Sequence, residues 1–338
     1  VQSFVCAATC ILIYLTAGEV SSRRAAVIAA FLFAIYPNSI LYSARALSET
    51  TYTFLLSLFC FGLVRMFKSP RVRTAIAAGI PFGLLVLTKG TTILLPPFLL
   101  LALLSRHYRR NLGRVVGSLV LITLVAALFL LPWGVRNHRI SGKVVVLSTW
   151  GGAPFYHGYY VATHLATGYG STNLDREAAL EARRLIRERY TPTGQAIDEY
   201  HEDRLAYSLV WQKIRARPLY SAWIFLRNLP LAWFLTYGRL TTAVSLFVHV
   251  PLLLLSLVAI VIMYRRDRQA WIRSLPLLLI LVYFNLAHAV IYPHVRYMFP
   301  AIATIATILA AYGIWRLWPL AHSLFLQGRW PFAQRTRT

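Results

Sequence analysis

Residues 114–143 read RVVGSLVLITLVAALFLLPWGVRNHRISGK. After Arg114 the next twenty residues are apolar or small, with Ser118 and Thr123 the only hydroxyls. About 20 mainly apolar residues are what a helix needs to cross a bilayer. The run enters beside basic residues and leaves through Pro132-Trp133 into the polar Arg136-Asn137-His138-Arg139. It reads as a transmembrane helix. Similar runs lie at 1–17, 25–44, 48–66, 74–88 and 91–105 before it, and at 241–263, 274–292 and 297–317 after it. The short pair 74–88 and 91–105 suits a tight helical hairpin. The expected fold class is an all-α polytopic membrane protein.

Composition agrees. Of 338 residues, 58% are hydrophobic and only 14% charged, with a mean hydropathy of +0.57. A soluble domain carries roughly 25% charged residues. The net charge of +24 does not point to nucleic acid, because the cations sit mainly in short loops between apolar runs. Cys6, Cys10 and Cys60 all fall inside such runs and read as buried thiols without a disulfide framework. No P-loop, GxSxG or CxxC is present, which argues against an ATP-driven pump and a serine hydrolase. His201-Glu202 is not a zincin motif, because Leu205 stands where the second histidine is required.

Cytoplasmic loops collect Lys and Arg. The loops around Arg23, Lys68, Arg109, Arg266 and Arg316 are strongly basic, whereas the opposite short loops hold only Arg45, Lys89 and Arg296. The first set is therefore cytoplasmic. Residues 1–134 form N-terminal transmembrane helices, 135–218 an extracytoplasmic loop domain, 219–240 an interfacial helix with Trp223 and Trp233 at headgroup level, and 241–338 the C-terminal helices and a cytoplasmic tail. Within the loop domain, helices are expected over about 174–190, capped by Asn173, and 196–217. Each has acids early and bases late, as the helix dipole favours. Stops are expected at Thr191–Gly194 and Pro218.

The three outer cations need a reason. Arg45, Lys89 and Arg296 each sit at an outer helix end, where they can hold an anionic headgroup such as a lipid phosphate. The alternatives are snorkelling, or for Arg45 an ion pair one turn from Glu49. Glu49 is the only acid on the outer face outside the loop domain. It is either a first-turn helix acid behind a Ser48 cap or a catalytic or metal-binding group. His294, Arg296 and Tyr297, with His288 upstream, cluster at an outer boundary and read as a site. His249, mid-span, reads as structural. The aromatic, Gly-rich stretch around His138 and His157 suits either sugar binding or an interfacial belt.

Four stretches in order carry a resemblance: YPNSILYSARALSET, GLLVLTKGTTILLP, LPWGVRNHRISGKVVVLSTWGG and VRYMFPAIATIATILAAYG. They are similar to the bacterial GT-C glycosyltransferases of the protein O-mannosyltransferase and lipid A aminoarabinose transferase type, and most of all to the dolichyl-phosphate-mannose-protein mannosyltransferase-like group. The resemblance implies a GT-C-like bundle in the bacterial inner membrane with its active site facing the periplasm or exterior. It implies transfer of a sugar from a polyprenyl-phosphate donor to an acceptor hydroxyl, with a carboxylate taking the acceptor proton. Glu49 matches a position near the active site and is the catalytic candidate in this chain. Lys89, Arg296 and Arg45 are the donor-phosphate cations. Arg136, Asn137, His294 and Tyr297 are the substrate-binding candidates. A divalent metal could share the task, but no ligand set is readable.

Two departures stand out. GGAPFYHGYY replaces a more usual Gly-Asn pair. The family's essential acid lies in a first outer loop that would precede Val1, so the resemblance implies an N-terminally truncated piece. Two other classes share these features. A flippase for lipid-linked sugars would use the same cations, and an O-antigen-ligase-like enzyme would take a diphosphate-linked donor.

Overall fold

The computed structural model describes residues 1–45, 47–165, 172–190 and 198–326. Among them every regular element is helical. Helix α1 (Gln2–Val20) is followed by α2 (Arg23–Ala34), whose start is capped by Ser22 accepting from the Ala25 amide. Pro37 then forces Tyr36 into extended backbone, and α3 (Pro37–Ser43) leaves at 56° to α2. Helices α4 (Ser48–Lys68) and α5 (Val72–Thr88) follow. The expected partner of α5 over 91–105 is not one helix. The consecutive Pro96 and Pro97 lack backbone N–H groups, and the stretch splits into short turns around α6 (Leu95–Leu99). After α7 (Arg106–Arg109), α8 (Leu112–Ser141) runs for 30 residues. That is about 45 Å, longer than the roughly 30 Å hydrocarbon layer. The helix therefore does not end with the apolar run at Gly134; its last two turns continue to Ser141.

The middle of the chain forms α9 (Gly152–His164), α10 (Thr172–Tyr190), α11 (Glu199–Ala216) and α12 (Pro218–Phe234). The Thr191–Gly194 stop lies outside the described residues. Pro218 does not merely end α11; it opens α12 as its first residue. The chain closes with α13 (Arg239–Arg266), α14 (Arg268–Ile291), α15 (Val295–Ala301), a π-helical turn at Ile302–Ala306 just past Pro300, and α16 (Thr307–Leu326).

Six helices are long and apolar enough to cross a membrane, or seven if the bent α2–α3 pair counts as one span. Small residues set their spacing. A Cβ on Gly79 would lie 2.8 Å from Val125, and one on Gly83 2.8 Å from Phe129, so α5 and α8 touch nearly backbone to backbone. The α15–α16 rod is the axis: residues Met298–Tyr312 are wholly buried. Its hydroxyls are paired, Ser57 with Thr304 at 2.9 Å and Ser256 donating to the Ala306 carbonyl at 3.1 Å. Phe4, Leu128 and Leu254 lie exposed on the outside of the bundle, as a lipid-facing surface requires.

A smaller core sits at one end. Phe155, Tyr156, Tyr159 and Tyr160 of α9 pack with Ala178 of α10 and Ala206 and Val210 of α11. The aromatics of GGAPFYHGYY are therefore neither a sugar platform nor a belt; they are this core. Its glycines are points of close approach, since a Cβ on Gly158 would lie 1.9 Å from the Ile291 carbonyl oxygen of α14. Asp203, expected to serve the dipole of its own helix, instead accepts from the Gly151 and Gly152 amides (2.8 and 2.6 Å) and caps α9. Trp233 is not at a surface; it is 7% exposed, with its carbonyl bonded to His249 Nδ1 at 2.6 Å. His249 also meets the Tyr36 hydroxyl, a structural role tying α12 and α13 to the α2–α3 bend.

Candidate functional site

Three helix ends converge on the side of the bundle that carries α9–α11. Glu49 lies in the first turn of α4, where the helix dipole favours a carboxylate. Lys89 ends α5, where the dipole favours a cation. Arg296 lies in the first turn of α15, where the dipole disfavours it. The three meet. Lys89 Nζ donates to Glu49 Oε1 at 3.1 Å, and Arg296 Nε donates to the same oxygen at 2.7 Å. Glu49 is fully buried, and its Oε2 has no hydrogen-bond partner among the described residues. Ser48 is not the cap; Leu47 precedes the helix and Ser48 is its first residue. Two cations against one carboxylate leave the cluster one positive charge in excess.

The excess charge faces space. Lys89 borders a cleft of about 360 Å³ lined also by Trp133, Leu147, His288, Tyr292 and Tyr297. Its ammonium rests between the rings of Tyr52 (5.2 Å) and Tyr297 (5.4 Å). Burial holds its pKa below the ordinary lysine value, against the pull of Glu49. Tyr283 donates to the Thr91 carbonyl at 2.6 Å and Thr92 to the Lys89 carbonyl at 3.2 Å, so the turn after Lys89 is fixed. No carboxylate is among the described residues lining this cleft.

The histidines support the floor. His294 caps α15: its Nδ1 accepts from the Arg296 amide at 3.0 Å. The ring proton is thereby placed on Nε2, which is buried without a partner among the described residues. Desolvation first, and the Arg296 charge second, pull His294 down to about 3, so it is neutral at physiological pH. His288 stacks on Tyr297 at 5.6 Å, lines the cleft, and leaves Nδ1 without a partner there. Tyr292, also in the lining, donates to Asp175 of α10, which ties α10 to the site.

The other candidates lie elsewhere. Arg45 falls in the break between α3 and α4, exposed, and forms no ion pair with Glu49 among the described residues; the helix that would have put them one turn apart is interrupted. Arg136 stacks on Trp133 at 4.8 Å, on the far side of the cleft wall from Glu49. Asn137 is spent on backbone, donating to the Val145 and Leu147 carbonyls at 3.1 and 3.3 Å. Sequence reasoning missed Tyr52 and Tyr292 as members of the site, whereas His288, read with the cluster upstream of His294, lines the cleft. Tyr52 stands three residues after Glu49 on one helix face, a spacing that would have pointed to it. Nothing local marks Tyr292, which joins through a contact distant in sequence. Among the described residues no group of three or more His, Cys, Asp or Glu side chains converges as a metal set.

Residues 1–133 match the model of a family described as dolichyl-phosphate-mannose-protein mannosyltransferase. No curated protein matches the sequence. Two solved structures share the fold. One is the archaeal oligosaccharyltransferase AglB from Archaeoglobus fulgidus in complex with an inhibitory peptide and a dolichol-phosphate. It is 18% identical, with a TM-score of 0.50, over 100% of this chain and 41% of that one. The other is the Archaeoglobus fulgidus oligosaccharyltransferase in the apo form, 19% identical with a TM-score of 0.51, over 95% of this chain and 39% of that one. The chain thus spans about two fifths of the length of these neighbours. The segment that holds Glu49 and Lys89 thus resembles that family, and the chain as a whole shares the helical fold of these two oligosaccharyltransferases.

Proposed function

We propose that this chain forms the donor end of an enzyme that transfers a sugar from a polyprenyl-phosphate to an acceptor hydroxyl at the extracytoplasmic membrane face. The observation that carries the reading is the Lys89–Glu49–Arg296 cluster, one positive charge in excess, at the head of a cleft walled by Tyr297, Tyr292 and His288. In the reaction the acceptor oxygen bonds to the anomeric carbon. The carbon–oxygen bond to phosphate breaks, and its electron pair goes to the phosphate oxygen. Negative charge therefore grows on the phosphate in the transition state. Cations already fixed in a water-poor site stabilise that charge without reorganising, and more strongly than they stabilise the ground state. Glu49 serves here as a positioning residue: it holds both cations in place, and the acceptor's proton leaves to another base or to water. His288 Nδ1, a buried polar atom of the cleft wall without a partner among the described residues, is left for substrate.

The test is transfer from a radiolabelled undecaprenyl-phosphate sugar by the membrane-embedded protein with its full natural sequence. Arg296→Ala and Lys89→Ala should each lower kcat about 10²–10³-fold at normal folded yield. Unchanged transfer in both would overturn the donor assignment. Preference for a diphosphate-linked donor would favour an O-antigen-ligase-like reaction, and movement of lipid-linked sugar across vesicles without transfer would favour a flippase.

A further inference from the structure

A second cleft, of about 480 Å³, opens between the outer end of α8, the 142–149 segment and the start of α11. Trp133, Leu147 and Ser148 line both clefts, so a single layer of residues separates them. That wall is built rather than incidental. Trp133 Nε1 donates to the Leu147 carbonyl at 2.8 Å, and Asn137 donates to the same carbonyl from one turn later. The Leu147 side chain lies against Gly90, where an added Cβ would come within 2.6 Å of it. The glycine of the LTKG stretch is thus what lets the wall close on the turn that carries Lys89.

The two clefts differ in charge. The first has Lys89 and no carboxylate among its described lining. Among its described lining the second has Arg136 and Lys143 against Asp198 and Glu199, a balance of zero. Each of its cations covers an aromatic face, Arg136 on Trp133 at 4.8 Å and Lys143 on Tyr200 at 5.7 Å. Thr149 reaches Glu199 at 3.4 Å. A phosphate or uronate would find no excess of positive charge here, and a lipid tail would find four charged groups. A neutral polyol fits both features. The parts of the Trp133 and Tyr200 rings that the cations leave uncovered meet the C–H face of a sugar, while Glu199 and the Arg136 guanidinium take its hydroxyls in charge-assisted hydrogen bonds; Asp198 Oδ1 is already bonded to His201.

We propose that this second cleft is the acceptor subsite and takes a neutral, hydroxyl-bearing sugar unit, presented across the Trp133–Leu147 wall to the donor. The acceptor part of this assignment rests on the transfer reading above; the sugar-binding part does not.

The experiment is ligand-observed NMR with the chain in nanodiscs. The probes are neutral hexose and pentose mono- to tetrasaccharides, their uronate- and phosphate-bearing counterparts, and undecaprenyl phosphate. Neutral sugars should bind in preference to the charged counterparts. Tyr200→Ala and Glu199→Gln should weaken that binding at least tenfold, whereas Tyr200→Phe, which keeps the ring, should stay within threefold. None of the three should change undecaprenyl-phosphate binding, which Lys89→Ala should weaken. The proposal is overturned if no neutral sugar binds, if the charged counterparts bind better, or if Tyr200→Ala leaves sugar binding unchanged. If the sugars bind as expected but undecaprenyl phosphate does not bind at all, the donor reading falls and the sugar site stands.

Discussion

Arg296 occupies the first turn of α15, where the dipole opposes a cation, and it stays there because Glu49 lies 2.7 Å away. Glu49 is buried, so the arrangement tolerates no loss of its charge. Glu49→Gln should destabilise the protein by about 3 kcal/mol, because it leaves two close cations uncompensated. It should also abolish transfer even where folded protein is recovered. A thermal melt and a transfer assay on the same sample check both; a Gln variant with native stability would sink the positioning role. His294 gives a pH signature. Its folded value of about 3 lies below the ordinary histidine value of 6.5, so the unfolded chain binds the extra proton between the two. Its contribution to stability is complete above about pH 6.5 and falls as pH drops toward 3, at up to about 1.4 kcal/mol per pH unit. Melting temperature followed from pH 7.5 to 4.5 should fall steeply in the parent. It should fall less in His294→Asn, whose side chain can still accept from the Arg296 amide. Parallel curves would refute the assignment.

At the scale of elements, the site depends on how closely helices approach. Gly158 sets α9 against the last carbonyls of α14, and the obstacle there is backbone, which cannot swing aside. Gly158→Ala should therefore push α9 away, cost about 1–3 kcal/mol, and disturb Tyr292, the next residue after Ile291. Gly83→Val should cost a comparable amount by prising α5 from α8, since the Ala126 backbone lies 3.1 Å from an added Cβ. The two should differ in readout. Gly158→Ala should weaken donor binding beyond its loss of stability, because α14 ends at the cleft. Gly83→Val, nearly two turns before Lys89 at the end of α5, should weaken it less for the same loss of stability. Equal ratios of binding loss to destabilisation would show that α9 has no part in shaping the site.

For the whole molecule, the charge asymmetry of the loops predicts which end faces which compartment. Lys68, paired with Glu19 at 2.9 Å, and Arg316, paired with Asp267 at 3.1 Å, mark one end. Lys89, Arg296 and α9–α11 mark the other. In a background with Cys6, Cys10 and Cys60 replaced, a membrane-impermeant maleimide added to intact cells should label cysteine at positions 143 and 200. It should label positions 68 and 110 only after permeabilisation. The reverse pattern would overturn the extracytoplasmic placement of the site.

Much of this was legible in the sequence because a bilayer demands long apolar helices and cytoplasmic cations, and both requirements act on composition alone. Apart from 25–44 and 91–105, each apolar run forms one continuous helical span, and the cations Lys89 and Arg296 stood out because they broke the charge rule. The break at Pro37 and the division of 91–105 at Pro96-Pro97 are also local, written in residues that lack an amide proton. Contacts between distant segments were not legible. Glu49, Lys89 and Arg296 are 40 and 247 positions apart, and only the packing of α4, α5 and α15 makes them one cluster. The aromatics of α9 became a core, and Arg136 turned to a second cleft, because neighbours far along the chain left them no other place. Local hydropathy and backbone preference fixed the helices. Which side chains share a site was decided by tertiary packing, since pairwise contact depends on where whole helices cross.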